Sequence, residues 1–320
     1  MARSKKSTKK QVDWSDKEHV EALIEQRKFL WDEDYVELLA RRIGIKPGKT
    51  IADIGCGLGY LGYVYARFAI PGGRYVGVDD NKKILQMARK AAGRRKIGKL
   101  FRFVQGSVLN IPLEDESVDV AMCQTLLMHV KEPESAVKEM IRITKKRGKV
   151  VAFEPSWETG FGWNNLREAP IKERLEDLEF LSRIWEGKKR LGDGDVRIGE
   201  KVPYLFMKNG LKKIQALKNN KVGWALIPPY DSPQVKQRIK MALSSIEKQS
   251  NRTMGEKRKE YLEGKRYYMA GGGDAESYRK TARRRRRRSE RYNKGMKQMI
   301  RKEKFYSVST GPFYVIIGEK

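Results

Sequence analysis

Apolar positions along the chain fall into two rhythms. Short apolar runs at residues 51–54, 74–78, 100–104, 118–122 and 149–153 have the length and composition of buried strands. Segments with helical spacing separate them, at 60–69, 82–92 and 133–144. Strands that alternate with helices predict an α/β fold built on a mostly parallel sheet. Upstream, Val20, Leu23 and Ile24, then Tyr35, Leu38 and Leu39, repeat at helical spacing. They predict two helices that cover the carboxyl ends of the strands. A sixth strand is expected at 211–217 after a helix at 199–209, and a seventh at 313–317. The roughly ninety residues between the last two read as a helical insertion.

The first strand runs into Gly55-Cys56-Gly57-Leu58-Gly59-Tyr60-Leu61-Gly62, with Asp53 two positions before the first glycine. A strand, a glycine turn and a helix are how a doubly wound sheet holds a nucleotide at its strand ends. Gly57 to Gly62 satisfies G-x-G-x-x-G, and Asp79 stands about 20 residues further on, as a ribose-binding acid would. That pattern alone does not choose between cofactors. Asp53 does: an acid beside the turn would repel the two phosphates of a nicotinamide cofactor. S-adenosylmethionine has no phosphate and carries a sulfonium and an ammonium, so the frame Asp53, Gly55, Gly57, Gly59 favours it.

Asp53 to Tyr60 resembles motif I of the class I S-adenosylmethionine-dependent methyltransferases, in the style of the broad type 11 group. That group includes quinone-biosynthesis and other small-molecule methyltransferases. The resemblance continues through Val76-Gly77-Val78-Asp79, Gln105-Gly106-Ser107, residues 118–124 and residues 148–154, and covers roughly 29 to 155 in order. It implies a doubly wound, seven-stranded, mostly parallel sheet of Rossmann-like type with an antiparallel last strand. It also implies a cofactor site at Asp53, Gly55, Cys56, Gly57, Gly59, Asp79, Asp80, Asn81, Ser107, Val108 and Gln124. Asp79 would hold the ribose hydroxyls, with Asp80 as substitute, while Asn81 also suits a helix cap. Ser107 stands where the family often has an acid for the adenine amino group, which weakens that contact.

Two residues are candidates for catalysis. His129 follows the fourth strand, and an ordinary imidazole pKa near ~6.5 suits a general base. Glu154, at the end of the fifth strand, could orient substrate or move a proton, or could bond to neighbouring backbone. Trp157, Phe161, Trp163 and Trp185 lie in the segment where relatives carry a substrate lid. Trp31 and Tyr35 could touch ligand or belong to the core. Ile227-Pro228-Pro229-Tyr230 is similar to the N-P-P-Y motif of amino-group methyltransferases. It comes far after the fourth strand, and isoleucine cannot bond an amine, so a rigid turn accounts for it.

Composition adds one anomaly. Of 320 residues, 39% are hydrophobic and 34% charged, with a mean hydropathy of -0.68. No apolar run approaches the ~20 residues of a membrane span, and no apolar segment follows the basic N-terminus, so a secretory signal is not expected. Cys56 and Cys123 are too few for a zinc site or a disulfide framework and read as buried thiols in a reducing cytoplasm.

The net charge, however, is +29. Residues 1–12 hold five bases and no acid, and residues 231–310 hold 24 Lys and Arg against 9 Asp and Glu, so the excess belongs to appendages. Arg283 to Arg288 are six consecutive arginines, and Tyr267, Tyr268, Tyr278 and Tyr292 interleave the basic stretch, a pattern compatible with stacking on bases. These could grip phosphates, meet an acidic partner, or form a solvated face.

The expected organisation is a disordered basic tail at 1–12, cover helices and cofactor core at 13–155, and a lid at 156–200. The sheet would end with 201–224 and 308–320, and the basic helical insertion would occupy 225–307. The expected function is methyl transfer from S-adenosylmethionine to an O, N or C acceptor of a small molecule. The alternative is an RNA or protein methyltransferase that docks its target through 1–12 and 278–292. A third reading, cofactor binding without turnover, sits poorly with an intact motif I.

Overall fold

A strand buried on both faces must be apolar along its whole length, and that is how the first strands of this chain read. In the computed structural model, β1 (Thr50–Ile54), β2 (Arg74–Asp79), β3 (Phe101–Gln105), β4 (Val118–Gln124) and β5 (Thr144–Pro155) lie parallel to one another. The structure describes residues 32–157, 162–166, 169–218, 222–310 and 313–320, together with Val20 and Ile24. The expected tail at 1–12, most of the first cover helix, Trp31 and Phe161 lie outside them.

Two further short strands, β6 (Gly162–Asn164) and β8 (Val222–Leu226), flank β7 (Lys212–Lys218) in sequence, and β9 (Ser307–Thr310) precedes β10 (Phe313–Glu319). The large sheet has the order β3-β2-β1-β4-β5-β10-β7. Only β10 runs antiparallel, to both β5 and β7. The strand order reverses between β1 and β4, so the connections that follow these two paired strands leave to opposite faces and open a crevice beyond their carboxyl ends. One core lies on each side of the sheet. The first is formed around Leu39, Tyr65, Leu85 and Phe153, and the second around Ile54, Cys123, Val137 and Phe206.

The helices that cover these faces begin and end where their sequence permits. Helix α1 (Glu33–Ile43) stops at Gly44, whose φ of 82° suits glycine. Helix α2 (Tyr60–Tyr65) starts from the glycine turn, and α3 (Lys82–Gly93) is capped by the Asn81 side chain, which accepts from the N–H groups of Lys83 and Ile84. Helix α4 (Pro133–Ile143) follows β4, and α6 (Val202–Lys208) leads into β7. Tyr35 belongs to the core edge: its hydroxyl donates to the Lys218 carbonyl at 2.7 Å.

A second body of helices stands beside the sheet: α5 (Ile171–Arg190), α7 (Pro233–Asn251), α8 (Met254–Ala270) and α9 (Ala275–Arg301). Helices α5 and α8 approach closely because glycine permits it. A Cβ on Gly187 would lie 1.7 Å from the Tyr267 carbonyl oxygen. Phe180 of α5 packs between Tyr268 and Tyr278 at centroid distances of 5.2 and 5.4 Å.

Two expectations change here. The insertion is not wholly helical, because β9 pairs with β6 on one side and β8 on the other in a three-stranded antiparallel sheet. The tyrosines of the basic stretch are not stacking platforms. Tyr268 and Tyr278 are buried, Tyr292 packs against Phe305, and the Tyr267 hydroxyl donates to Glu263. Ile227 to Tyr230 is a turn, and the Tyr230 hydroxyl donates to the Phe305 carbonyl.

Candidate active site

The crevice is a cavity of about 430 Å³, within the size range of small-ligand sites. Its floor is the turn after β1. Gly55 adopts a φ of +67°, and a Cβ there would meet a methyl group of Leu126 at 2.7 Å, so only glycine fits both constraints. The next elements bring acids to the rim. β2 ends at Asp79, whose two carboxylate oxygens accept from the N–H groups of Gly57 and Asn81, each at 2.9 Å. Two backbone bonds orient this carboxylate without exhausting the roughly four acceptor sites that it offers. Asp80 stands beside it, and Ser107 and Val108 follow β3. The Ser107 hydroxyl accepts from the Leu109 N–H, which leaves its own O–H to donate.

β4 ends at Gln124, a residue only 4% exposed that lines the cavity. Among the described residues neither its amide nitrogen nor its amide oxygen finds a hydrogen-bond partner. Buried amides are ordinarily paired, so this one awaits a ligand or ordered water. Thr125 next to it holds a φ of 51°, a strained value for a β-branched side chain. Strain of this kind concentrates at functional sites.

His129 also lines the cavity, on a 3-10 turn at Leu127–His129. Burial first, and then the Lys188 charge, depress its pKa to about 4, so the imidazole is neutral at pH 7. A base that weak does not have the near-neutral pKa expected from sequence.

Other site expectations need correction. Glu154 is fully buried and absent from the cavity lining. One of its oxygens accepts from the N–H groups of Leu126 and Leu127 at 2.8 Å, the other from that of Met128 at 3.3 Å. Glu154 therefore anchors the segment that carries Gln124, Thr125 and His129, and its side chain does not reach into the site. Burial raises its pKa to about 7, against the opposing pull of those three N–H groups. Asp53 is likewise buried, beneath the turn, where it accepts a 2.7 Å hydrogen bond from the Tyr75 hydroxyl. Its charge lies behind the turn, not within the cavity. Cys56, Gly59 and Asn81 shape the turn and the α3 cap without lining the cavity: Cys56 is a buried free thiol, and Gly59 is the N-cap of α2.

Gly55, Gly57, Asp79, Asp80, Ser107, Val108, Gln124 and His129 do converge on one cavity. Sequence reasoning missed Leu126, Met128, Val130 and Phe313, which help complete its largely apolar wall. Trp157, expected in the lid, lines it as well and is 47% exposed. Among the described residues no Lys or Arg lines the cavity, although the chain carries 69 of them.

The model of the methyltransferase domain family matches residues 52–152. A demethylmenaquinone methyltransferase of Lactobacillus johnsonii is 30% identical over 129 residues, 39% of this chain and 53% of that protein. A Geobacillus protein of the same name is 29% identical over 141 residues, 44% of this chain and 58% of its own length. An uncharacterized 37.1 kDa protein of a Streptomyces fradiae transposon is 30% identical over 39% of this chain and 35% of that protein. The chain thus spans between about a third and three fifths of the length of these relatives. Similar solved structures include an S-adenosylmethionine-dependent methyltransferase from Aquifex aeolicus, with a TM-score of 0.44, 17% identity and coverage of 66% of this chain and 92% of that one. Residues 52–152, about a third of the chain, are thus similar to the methyltransferase domain family.

Proposed function

We propose that the protein transfers a methyl group from S-adenosylmethionine to a small, largely apolar acceptor. The observation that carries this reading is the charge of the cavity: two carboxylates, a neutral imidazole and no lysine or arginine among the described lining residues. Such a wall attracts a sulfonium and an ammonium and repels a pyrophosphate. The names of the demethylmenaquinone methyltransferase relatives support a small acceptor.

When bound, the cofactor supplies an electrophilic methyl group. The chain's own part is to hold and orient. Asp79, fixed by two backbone N–H groups, accepts from the ribose hydroxyls. Ser107 donates through its O–H to a ring nitrogen. The unpaired amide of Gln124 bonds the methionyl end or the acceptor beside it. Leu126, Met128, Trp157 and Phe313 exclude water from the acceptor side, and such positioning is worth ~7–11 kcal/mol of barrier. His129 can take a proton only from an acceptor that is already acidic, and otherwise orients the acceptor by hydrogen bonding. Two buried free thiols fit a reducing cytoplasm.

Calorimetric titration with S-adenosylhomocysteine of the Asp79→Ala variant tests the assignment. The loss of both hydroxyl partners should weaken binding by about 1–3 kcal/mol. Unchanged affinity would remove Asp79 from the site.

A further inference from the structure

Four of the six consecutive arginines are used inside the molecule. Arg284, Arg285 and Arg288 pair with Glu176 and Asp177 of α5, and Arg286 pairs with Glu290 one turn on. The remaining charges form a strip beside the paired Arg284 and Arg288. Arg283, Arg287, Arg291 and Lys294 are exposed, and among the described residues none of them makes an ion pair. At 3.6 residues per turn they share an arc of about 80°, with about 6 Å or less between successive charges along the axis.

A cleft of about 580 Å³ runs beside this stripe. Arg284, Arg287, Arg288, Arg291 and Lys294 line it, with Glu173 and Glu290 as its acids.

We infer that this stripe docks the phosphate backbone of a nucleic-acid duplex. The inference goes beyond the methyl-transfer reading and does not depend on it. A row of unpaired cations, three of four of them guanidinium groups that can grip phosphate bidentately, matches a regular line of phosphates. A single strand is disfavoured, because single-strand sites stack bases on aromatic rings and Tyr268 and Tyr278 are buried. An anionic lipid surface is disfavoured too. A surface-bound helix inserts its apolar face, and the apolar face of α9 is spent on the chain's own core at Tyr278, Tyr292 and Ile300.

The test is fluorescence anisotropy of the full chain with a labelled 20-base-pair DNA duplex over a salt series. It is compared with the combined variant Arg283→Gln, Arg287→Gln, Arg291→Gln, Lys294→Gln. The variant should keep the wild-type melting temperature and S-adenosylhomocysteine affinity, since none of the four side chains packs in the core or lines the cavity. Its duplex affinity should fall at least tenfold, and the slope of log K against log salt should shrink by about 3 to 4. Three results would overturn the inference: equal binding by the variant, tighter binding to the single strand, or tighter binding to phosphatidylserine vesicles.

Discussion

At the scale of single residues, Glu154 shows how a strand-end acid can serve a site from outside it. Its folded pKa of about 7 lies above that of an unfolded glutamate, so the folded state binds the proton more tightly. The stabilisation from this group is present below the unfolded pKa and is lost as pH rises through about 7. Over that window it amounts to about 3 kcal/mol. In denaturant unfolding, wild-type stability relative to Glu154→Gln should therefore fall by about that much between pH 4.5 and pH 8.5. A difference that stays constant with pH would contradict the buried, titrating carboxyl. The sequence carried Asp79, Gly57 and Gln124 to the site because their place at strand ends follows from motif order. It could not tell which way Glu154 points, since that depends on where the 126–128 backbone turns its N–H groups. Phe313 had no local signal. Phe313 reaches the cavity only because β10 pairs antiparallel with β5, which sets it opposite Pro155.

At the scale of elements, the large sheet was readable because its central strands β1, β2 and β4 are short, mostly apolar runs bounded by turns or helices. The small sheet was not. Its three strands come from residues 162–164, 222–226 and 307–310, too short and too far apart for any local pattern to pair them. The same holds for the α5–α8 crossing, whose closeness rests on single glycines inside helical runs. At Gly187 an alanine would gain about 1 kcal/mol of helix propensity. It would also set a Cβ 1.7 Å from the backbone oxygen of Tyr267, which cannot swing aside as a side chain could. The clash should dominate, and Gly187→Ala should lower the stability by about 1–3 kcal/mol in chemical denaturation. An unchanged or higher midpoint would mean that α5 and α8 do not meet as closely as described.

For the molecule as a whole, charge is divided by location. The appendages hold most of the excess of +29, while the cavity at the switch point of the sheet is lined by acids and apolar groups. Much of α9's arginine run turned out to be structural, because the acidic face of α5 neutralises it. Like charges so densely spaced are stable in one helix only when partners of that kind are supplied. Among the described residues no helix is long and apolar enough to cross a membrane. The central claim is that the cavity at the ends of β1 and β4 holds S-adenosylmethionine and not a dinucleotide. Calorimetric titration of the full chain with S-adenosylhomocysteine and, in parallel, with NADH tests it most directly. Saturable binding of S-adenosylhomocysteine without binding of NADH is the predicted result; binding of NADH alone, or of neither ligand, would contradict it.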